Sequence, residues 1–356
     1  MRNHPRTLCA RRRVFGMLAA GVASMGLLLA GPTHAMDVKE RTLRLSFVNV
    51  KEHPHGIGVE RFAELVKQKS QGKLKVALYP GGTLGGDLQV VSSMQGGTID
   101  MSVMVPGSLV GLNKEFGVFD LPFLFKDARE ADAVLDGPFG RKLLERLPEK
   151  GLVGLSFWDH GFRNVTTNKK PIVTAEDFQG LKLRVQQIPI YIDMMKALGA
   201  NALPLPFPEL YPALESGTVD GQENPLTSIV GSKLHEAQKF LSITRHTYNP
   251  LLVLASKKTW EKLSEDERRI LVDAANEAKP YQRSASRDAE AKALDVIRAA
   301  GLKINEVSPA EIERMREKVR PAADKFSKDA GEATVQELRA EVAKARAAAL
   351  QASVTK

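Results

Sequence analysis

The sequence predicts an α/β fold in two lobes, with long helices packed over both. Three observations lead there. Short period-2 strands alternate with period-3.6 helices from Thr42 to Val105, the same style returns between Gly161 and Asn249, and the last hundred residues read as continuous helix.

The elements follow in order. Leu43, Leu45 and Phe47 alternate with Thr42, Arg44 and Ser46, which predicts a strand. Val59, Phe62, Ala63 and Val66 fall at i, i+3, i+4 and i+7, the stripe of a helix with one buried face. Gly72 ends that segment, and Leu74, Val76 and Leu78 alternate again up to Pro80. A Gly-rich turn, Pro80–Asp87, leads into a helix around Leu88–Met94, and Met101, Val103 and Val105 give the third strand. In the second unit Leu181, Leu183 and Val185 form a strand; Tyr191, Met194, Met195 and Leu198 form a helical stripe closed by Gly199. A short helix from Pro208 to Glu215 stops at Gly217, and Val219–Gln222 is extended. Further on, Ser264-x-x-Glu267 is a capping box. Ser308-Pro309-Ala310-Glu311 joins an N-cap, Pro at N1 and Glu at N3. Ile312, Met315 and Val319 give one apolar face; Val335, Leu338 and Val342 give another. The expected division is 36–160 with 250–289 as the first lobe, and 161–249 with 290–356 as the second. With little linker between them, a cleft crossed by several strands should separate the lobes.

The N-terminus bounds the compartment. Arg2, Arg6, Arg11, Arg12 and Arg13 precede an apolar run from Val14 to Ala30, and Thr33-His34-Ala35 offers small residues at −3 and −1. Residues 1–35 therefore read as a signal peptide cleaved near Ala35, placing the mature chain in the periplasm. Arg12-Arg13-Val14-Phe15 fits a twin-arginine pattern as well as a Sec leader. The leader holds five arginines and no acid, so the formal charge of +9 falls to +4 without it. No basic stripe with interleaved aromatics remains, and nucleic acid is not an expected partner. The single cysteine, Cys9, lies in the leader, so disulfides, thiolate nucleophiles and thiolate metal sites are excluded from the mature chain.

Catalytic motifs are missing. Gly81-Gly82-Thr83-Leu84-Gly85-Gly86 lacks the Lys-Ser/Thr of a P-loop, and neither G-x-S-x-G nor H-E-x-x-H occurs. His53-Pro54-His55 has metal-ligating side chains but no third ligand in view, and no metal or other cofactor is expected. The informative stretch is Gly161–Pro225. Phe162-Arg163-Asn164-Val165-Thr166-Thr167-Asn168 sets an arginine among small hydrogen-bonding residues. In Gly180-Leu181-Lys182-Leu183-Arg184-Val185 the period of two puts Arg184 on the face opposite the leucines. A guanidinium there stays charged and offers a planar fork that matches a carboxylate. Asp220-Gly221-Gln222-Glu223-Asn224-Pro225 is polar where a strand should be leaving the sheet, and reads as a loop.

Gly180–Val185, Leu198-Gly199-Ala200, Phe207-Pro208-Glu209-Leu210-Tyr211 and above all Val219–Pro225 together resemble the solute-binding receptors of TRAP transporters, the DctP family. Tyr79-Pro80, Gly97–Met101 and Phe119–Phe125 agree with it, so the resemblance spans about Leu43 to Ala278. It implies a periplasmic-binding-protein type II-like fold and no enzymatic activity. The receptor would be a monomer that closes on a small organic acid and delivers it to the small and large membrane subunits of a permease. It also implies roles: Arg184 grips the ligand carboxylate, Asn224 bonds the same group, Arg163 is a second basic contact, Phe207 packs on the carbon skeleton, and Asp87 reaches ligand hydroxyls. Trp158, Asp159, Gln187 and His53 flank these elements and are added as candidates. An acidic residue in the pocket repels a second carboxylate, so a sugar acid such as a hexuronate is favoured over a C4-dicarboxylate. A sensory adaptor would share every residue named.

Overall fold

The computed structural model describes residues 36–354, so the leader lies outside the described residues. The chain opens with β1 (Arg41–Ser46), α1 (Pro54–Lys69), β2 (Leu74–Tyr79), α2 (Asp87–Gly96) and β3 (Met101–Met104). The crossovers make β1 parallel to both β2 and β3. Each boundary has a local cause. His53 caps α1, its imidazole accepting the His55 N–H, and Pro54 occupies the first helical turn, where no backbone donor is needed. Gly97 ends α2 in the left-handed conformation at φ 80°. Gly85 holds φ at 107°, a region that strains other residues, and the turn delivers Asp87 to the first position of α2.

Helices α3 (Ala128–Asp136) and α4 (Pro138–Leu144) precede a 16-residue strand, β4 (Leu152–Thr167). The second unit follows as β5 (Lys182–Val185), α5 (Pro189–Ala197), β6 (Asn201–Pro204), α6 (Leu210–Glu215), β7 (Gly221–Pro225) and α7 (Leu226–Gly231). Here β5 is parallel to β6 and β7. A second long strand, β8 (Phe240–Ser256), then runs antiparallel to β4 along nearly its whole length. After it come α8 (Lys257–Trp260), α9 (Glu265–Ala299), β9 (Lys303–Glu306), α10 (Pro309–Ala330) and α11 (Glu332–Val354).

All strands join one sheet in the order β2-β1-β3-β8-β4-β7-β5-β6, with β9 on β8. The first half of β4 meets the last half of β8 beside the β1–β3 unit, and the remaining halves meet beside the β5–β7 unit. The register shifts between Asp159 and Gly161, where Gly161 takes φ 109°. The two parallel units thus share a pair of crossing strands, long segments that short-range alternation alone had not marked.

One expectation changes. Asp220–Pro225 is no loop: residues 221–225 are β7, a buried interior strand between β4 and β5. It tolerates polar side chains because most find partners. Gln222 donates to Thr166 Oγ1 at 2.8 Å, Asn224 donates to Gln222 Oε1, and Glu223 pairs with Arg163. The C-terminal helices pack on separate parts of the chain. α10 packs on α5 of the second unit, whereas α11 lies on α3 and α4, tied there by Lys142–Glu337 (Nζ–Oε2 2.5 Å) and Arg346–Glu130 (2.8 Å). The capping boxes behave as read: Ser264 and Glu267 cap each other's backbone at the start of α9, and Ser308 accepts from Glu311 N–H at 3.3 Å. No helix among the described residues is long and apolar enough to cross a membrane.

Candidate functional site

The carboxyl ends of the parallel strands of both units converge on one cavity of ≈ 50 Å³. Asn49 follows β1, Ser108 follows β3, Gln186 and Gln187 follow β5, and Phe207 follows β6. Asp87 enters from the head of α2, His160 and Arg163 from β4, and Asn224 from β7. Ligands of open α/β sheets bind at such strand ends, where the connections diverge and leave a crevice.

Arg184 stands at the last turn of β5, paired with Leu203 of β6 and Gln222 of β7. It is 2 % exposed, whereas Lys182 on the same face is exposed at the strand's start. Its Nε and Nη2 donate to the Leu205 carbonyl at 2.9 and 2.6 Å, and Phe207 lies 5.9 Å from the guanidinium carbon. Nη1 is buried with no partner, and no carboxylate among the described residues lies within 4.0 Å of this cation. Burial pulls its pKa down to about 10, against the pull of Glu223, so it remains charged at neutral pH. A buried cation with an unused donor is an unmet demand for an anion.

Arg163 has none of that freedom. It is fully buried, bonded through Nε and Nη2 to the Glu223 carboxylate, through Nη1 to Asn249 Oδ1 at 2.8 Å, and through Nη2 to Asn224 Oδ1 at 3.1 Å. The register that sets Arg163 against Pro225 and Val165 against Glu223 puts acid and base on one face of the sheet. His246 adds a contact to Glu223 at 3.2 Å. Burial alone would raise the Glu223 pKa, yet Arg163 and His246 hold it below the usual range. Arg163 thus lines the cavity as one half of a neutral pair.

Asp87 accepts from Ser108 Oγ at 3.3 Å, and burial pushes its carboxyl up to about 6 against the pull of Ser108 and Arg184. Phe207, Gln187 and Asn224 also line the cavity, with the Asn224 amide bound to Gln222 and Arg163.

Three other candidates lie elsewhere. Trp158 is core, its indole N–H on the Ala275 carbonyl at 3.1 Å. Asp159 is buried between Tyr248 Oη (2.9 Å) and Arg287 Nε (3.2 Å). Neither residue lines the cavity. His53 sits one layer back, with Nδ1 on His55 N–H and Nε2 3.3 Å from Ser228 Oγ.

Sequence reasoning missed His55, His160, Asn49 and Gln186. The signal for His55 was on the page in His53-Pro54-His55, but its companion His160 is 105 positions away and only β4 carries it there. The rings of His55 and His160 meet edge to face at 4.4 Å, and those of His53 and His55 at 4.3 Å.

The family of bacterial extracellular solute-binding proteins, family 7 (DctP), matches residues 45–329. The chain is 37 % identical over 294 residues to the 2,3-diketo-L-gulonate-binding periplasmic protein YiaO of Escherichia coli K12, covering 83 % of this chain and 87 % of that one. It is 32 % identical to the C4-dicarboxylate-binding periplasmic protein DctP of Rhodobacter capsulatus over 334 residues, 93 % and 99 % of the two chains. The crystal structure of the sugar acid binding protein DctPAm from Advenella mimigardefordensis, in complex with galactonate, superposes with a TM-score of 0.85 at 42 % identity. That match covers 87 % of this chain and all of the other.

Proposed function

The chain belongs to the DctP family of solute-binding receptors that serve TRAP transporters, and on that premise we propose that it carries a small sugar acid to its permease in the periplasm. One observation carries the ligand class: Arg184 is a buried guanidinium with a free Nη1 and no counter-ion, at the converging strand ends. A carboxylate leaving water must recover its hydration from charged donors, and this is the one cavity arginine with a donor to spare. Asn224 and Phe207 complete the grip, the first on the carboxylate and the second on the carbon chain.

The choice of sugar acid over dicarboxylate follows from Arg163. A second carboxylate would need a second free cation, and Glu223 already neutralises that one. What remains around the cavity is neutral or acidic and suits hydroxyls: Asp87, Asn49, Gln186, Gln187 and the imidazoles. Relatives named for galactonate and for 2,3-diketo-L-gulonate support this reading.

The role is binding linked to closure. The β1–β3 and β5–β7 units act as two lobes hinged on β4 and β8. A ligand that touches both only when they close is what drives closure, through its differential affinity for the two states. A closed receptor then docks on the small and large permease subunits, and the leader directs the chain to the periplasm with cleavage near Ala35. Calorimetric titration with D-galactonate, D-erythronate and succinate tests the ligand class. A sugar acid should bind at least tenfold more tightly than succinate. Succinate binding as tightly or more so overturns the sugar-acid choice.

A further inference from the structure

Behind the cavity wall stands a hydrogen-bonded relay. His53 Nδ1 accepts the backbone N–H of His55 at 3.1 Å, so the His53 proton resides on Nε2. That Nε2–H faces Ser228 Oγ at 3.3 Å, and Asn49 Nδ2 donates to the same oxygen at 3.5 Å. Ser228 Oγ already receives these donors, so its own proton is free for the remaining neighbour, His160 Nε2 at 2.9 Å. His160 therefore accepts on Nε2 and carries its proton on Nδ1. The chain of bonds fixes the tautomer of His160.

The far ends of this relay are unsatisfied. His160 Nδ1 and His55 Nε2 are both buried and have no partner, and both residues line the cavity. A buried polar atom left without a partner is costly, and a polar ligand atom is the way to remove the cost. One ring nitrogen from each of His53, His55 and His160 lies within 4.8 Å of the others, and the rings of His55 and His160 are 4.4 Å apart, so the two side chains stand together at the cavity wall. A metal ion suits the cluster poorly, because both nitrogens of His53 are already engaged, one by the helix cap and one by Ser228.

We propose that His55 and His160 form a hydroxyl-binding subsite beside Arg184, with His53 and Ser228 as positioning residues that hold His160 as an Nδ1–H donor. This rests on the carboxylate reading of the cavity and sharpens it. The ligand is an acid with an oxygen substituent on its carbon chain, an alcohol or a ketone, and a plain fatty acid of the same length binds more weakly. A hydroxyl can accept and donate at once, so it can take the His160 N–H and also meet His55 Nε2 in either tautomer.

Two measurements test this. In the first, the unliganded protein labelled with ¹⁵N-histidine is read by NMR for its ring nitrogens. The His160 signals should show Nδ1 protonated and Nε2 bare, and the opposite tautomer overturns the relay. This readout needs no variant. In the second, D-erythronate and butanoate are titrated into wild type, His160→Phe, His160→Asn and Arg184→Ala. His160→Phe should lose at least tenfold in affinity for erythronate while butanoate binding stays as it was, because the removed group meets only the hydroxyl. His160→Asn keeps an N–H near the Nδ1 position and should recover part of that loss. Equal losses for both acids, or no loss for either, overturn the subsite. Unimpaired binding of both acids to Arg184→Ala would instead overturn the carboxylate clamp and leave the histidine result readable. Zinc chloride alone raising the melting temperature of wild type, but not of His160→Phe, would show a metal site in its place and overturn the proposal.

Discussion

Arg163 and Arg184 line one cavity, both almost wholly buried, and differ in what answers their charge. Arg163 arises mid-strand on β4, where Glu223 on the adjacent β7 shares its face, and every one of its nitrogens is engaged. Arg184 arises at the end of β5, where the strand stops and the neighbouring crossovers turn away. There it finds a backbone carbonyl and an aromatic ring, and one nitrogen remains unused. The first arginine is a fixture of the sheet. The second is held ready by it. The lesson is that burial and residue type do not distinguish a neutralised cation from an unpaired one; the counter-charge does.

The comparison breaks most visibly on the structural side. Arg163→Met strands Glu223 in the core, and breaking such a pair costs about 3–5 kcal/mol. Urea or thermal unfolding should show that loss, and an unchanged midpoint would mean that the pair is not the fixture described. Arg184→Ala should do the reverse. Its unfolding midpoint should stay near wild type, because no salt bridge is lost, while D-galactonate affinity drops about 100-fold in calorimetry, the lower range for removing one partner of a buried charge pair.

Glu223→Gln sharpens the contrast by freeing Arg163 in place. Relative affinity for succinate over D-galactonate should rise about tenfold as a second cation becomes available, with stability falling by less than in Arg163→Met. The same variant carries the smallest effect, on pH. The folded protein holds the Glu223 pKa below its unfolded value near 4.5. That contribution is therefore full above about 4.5 and is lost as pH falls through the lower, folded pKa. Between pH 5 and 3 wild type should lose more stability than Glu223→Gln, and parallel curves would contradict the ion pair's role.

Much of this was legible in the sequence. Alternation and helical stripes marked β1, β2, β3, β5, α1, α2 and α5, because each buries one face and so repeats with its own period. Capping residues marked the starts of α9 and α10. The phase of two on Gly180–Val185 set Arg184 apart from its apolar neighbours. Harder to see were β4 and β8, whose bulges interrupt the alternation, and β7, whose polar letters imitate a loop. Trp158 and Asp159, added because they flank the other elements, are buried in the described structure with partners of their own.

The sequence by itself determined most of the short strands and helices and the presence of an arginine suited to an acid. Only the tertiary structure decided which arginine was free, because neutralising Arg163 takes a glutamate sixty positions away, brought alongside by strand pairing. It likewise decided that His55 and His160 meet, and which nitrogen of His160 bears the proton, through a serine on α7. Local pattern reports what each residue prefers to bury. Whether a charge or a proton is left over depends on the balance of partners around it, and that balance is struck between segments distant in the chain.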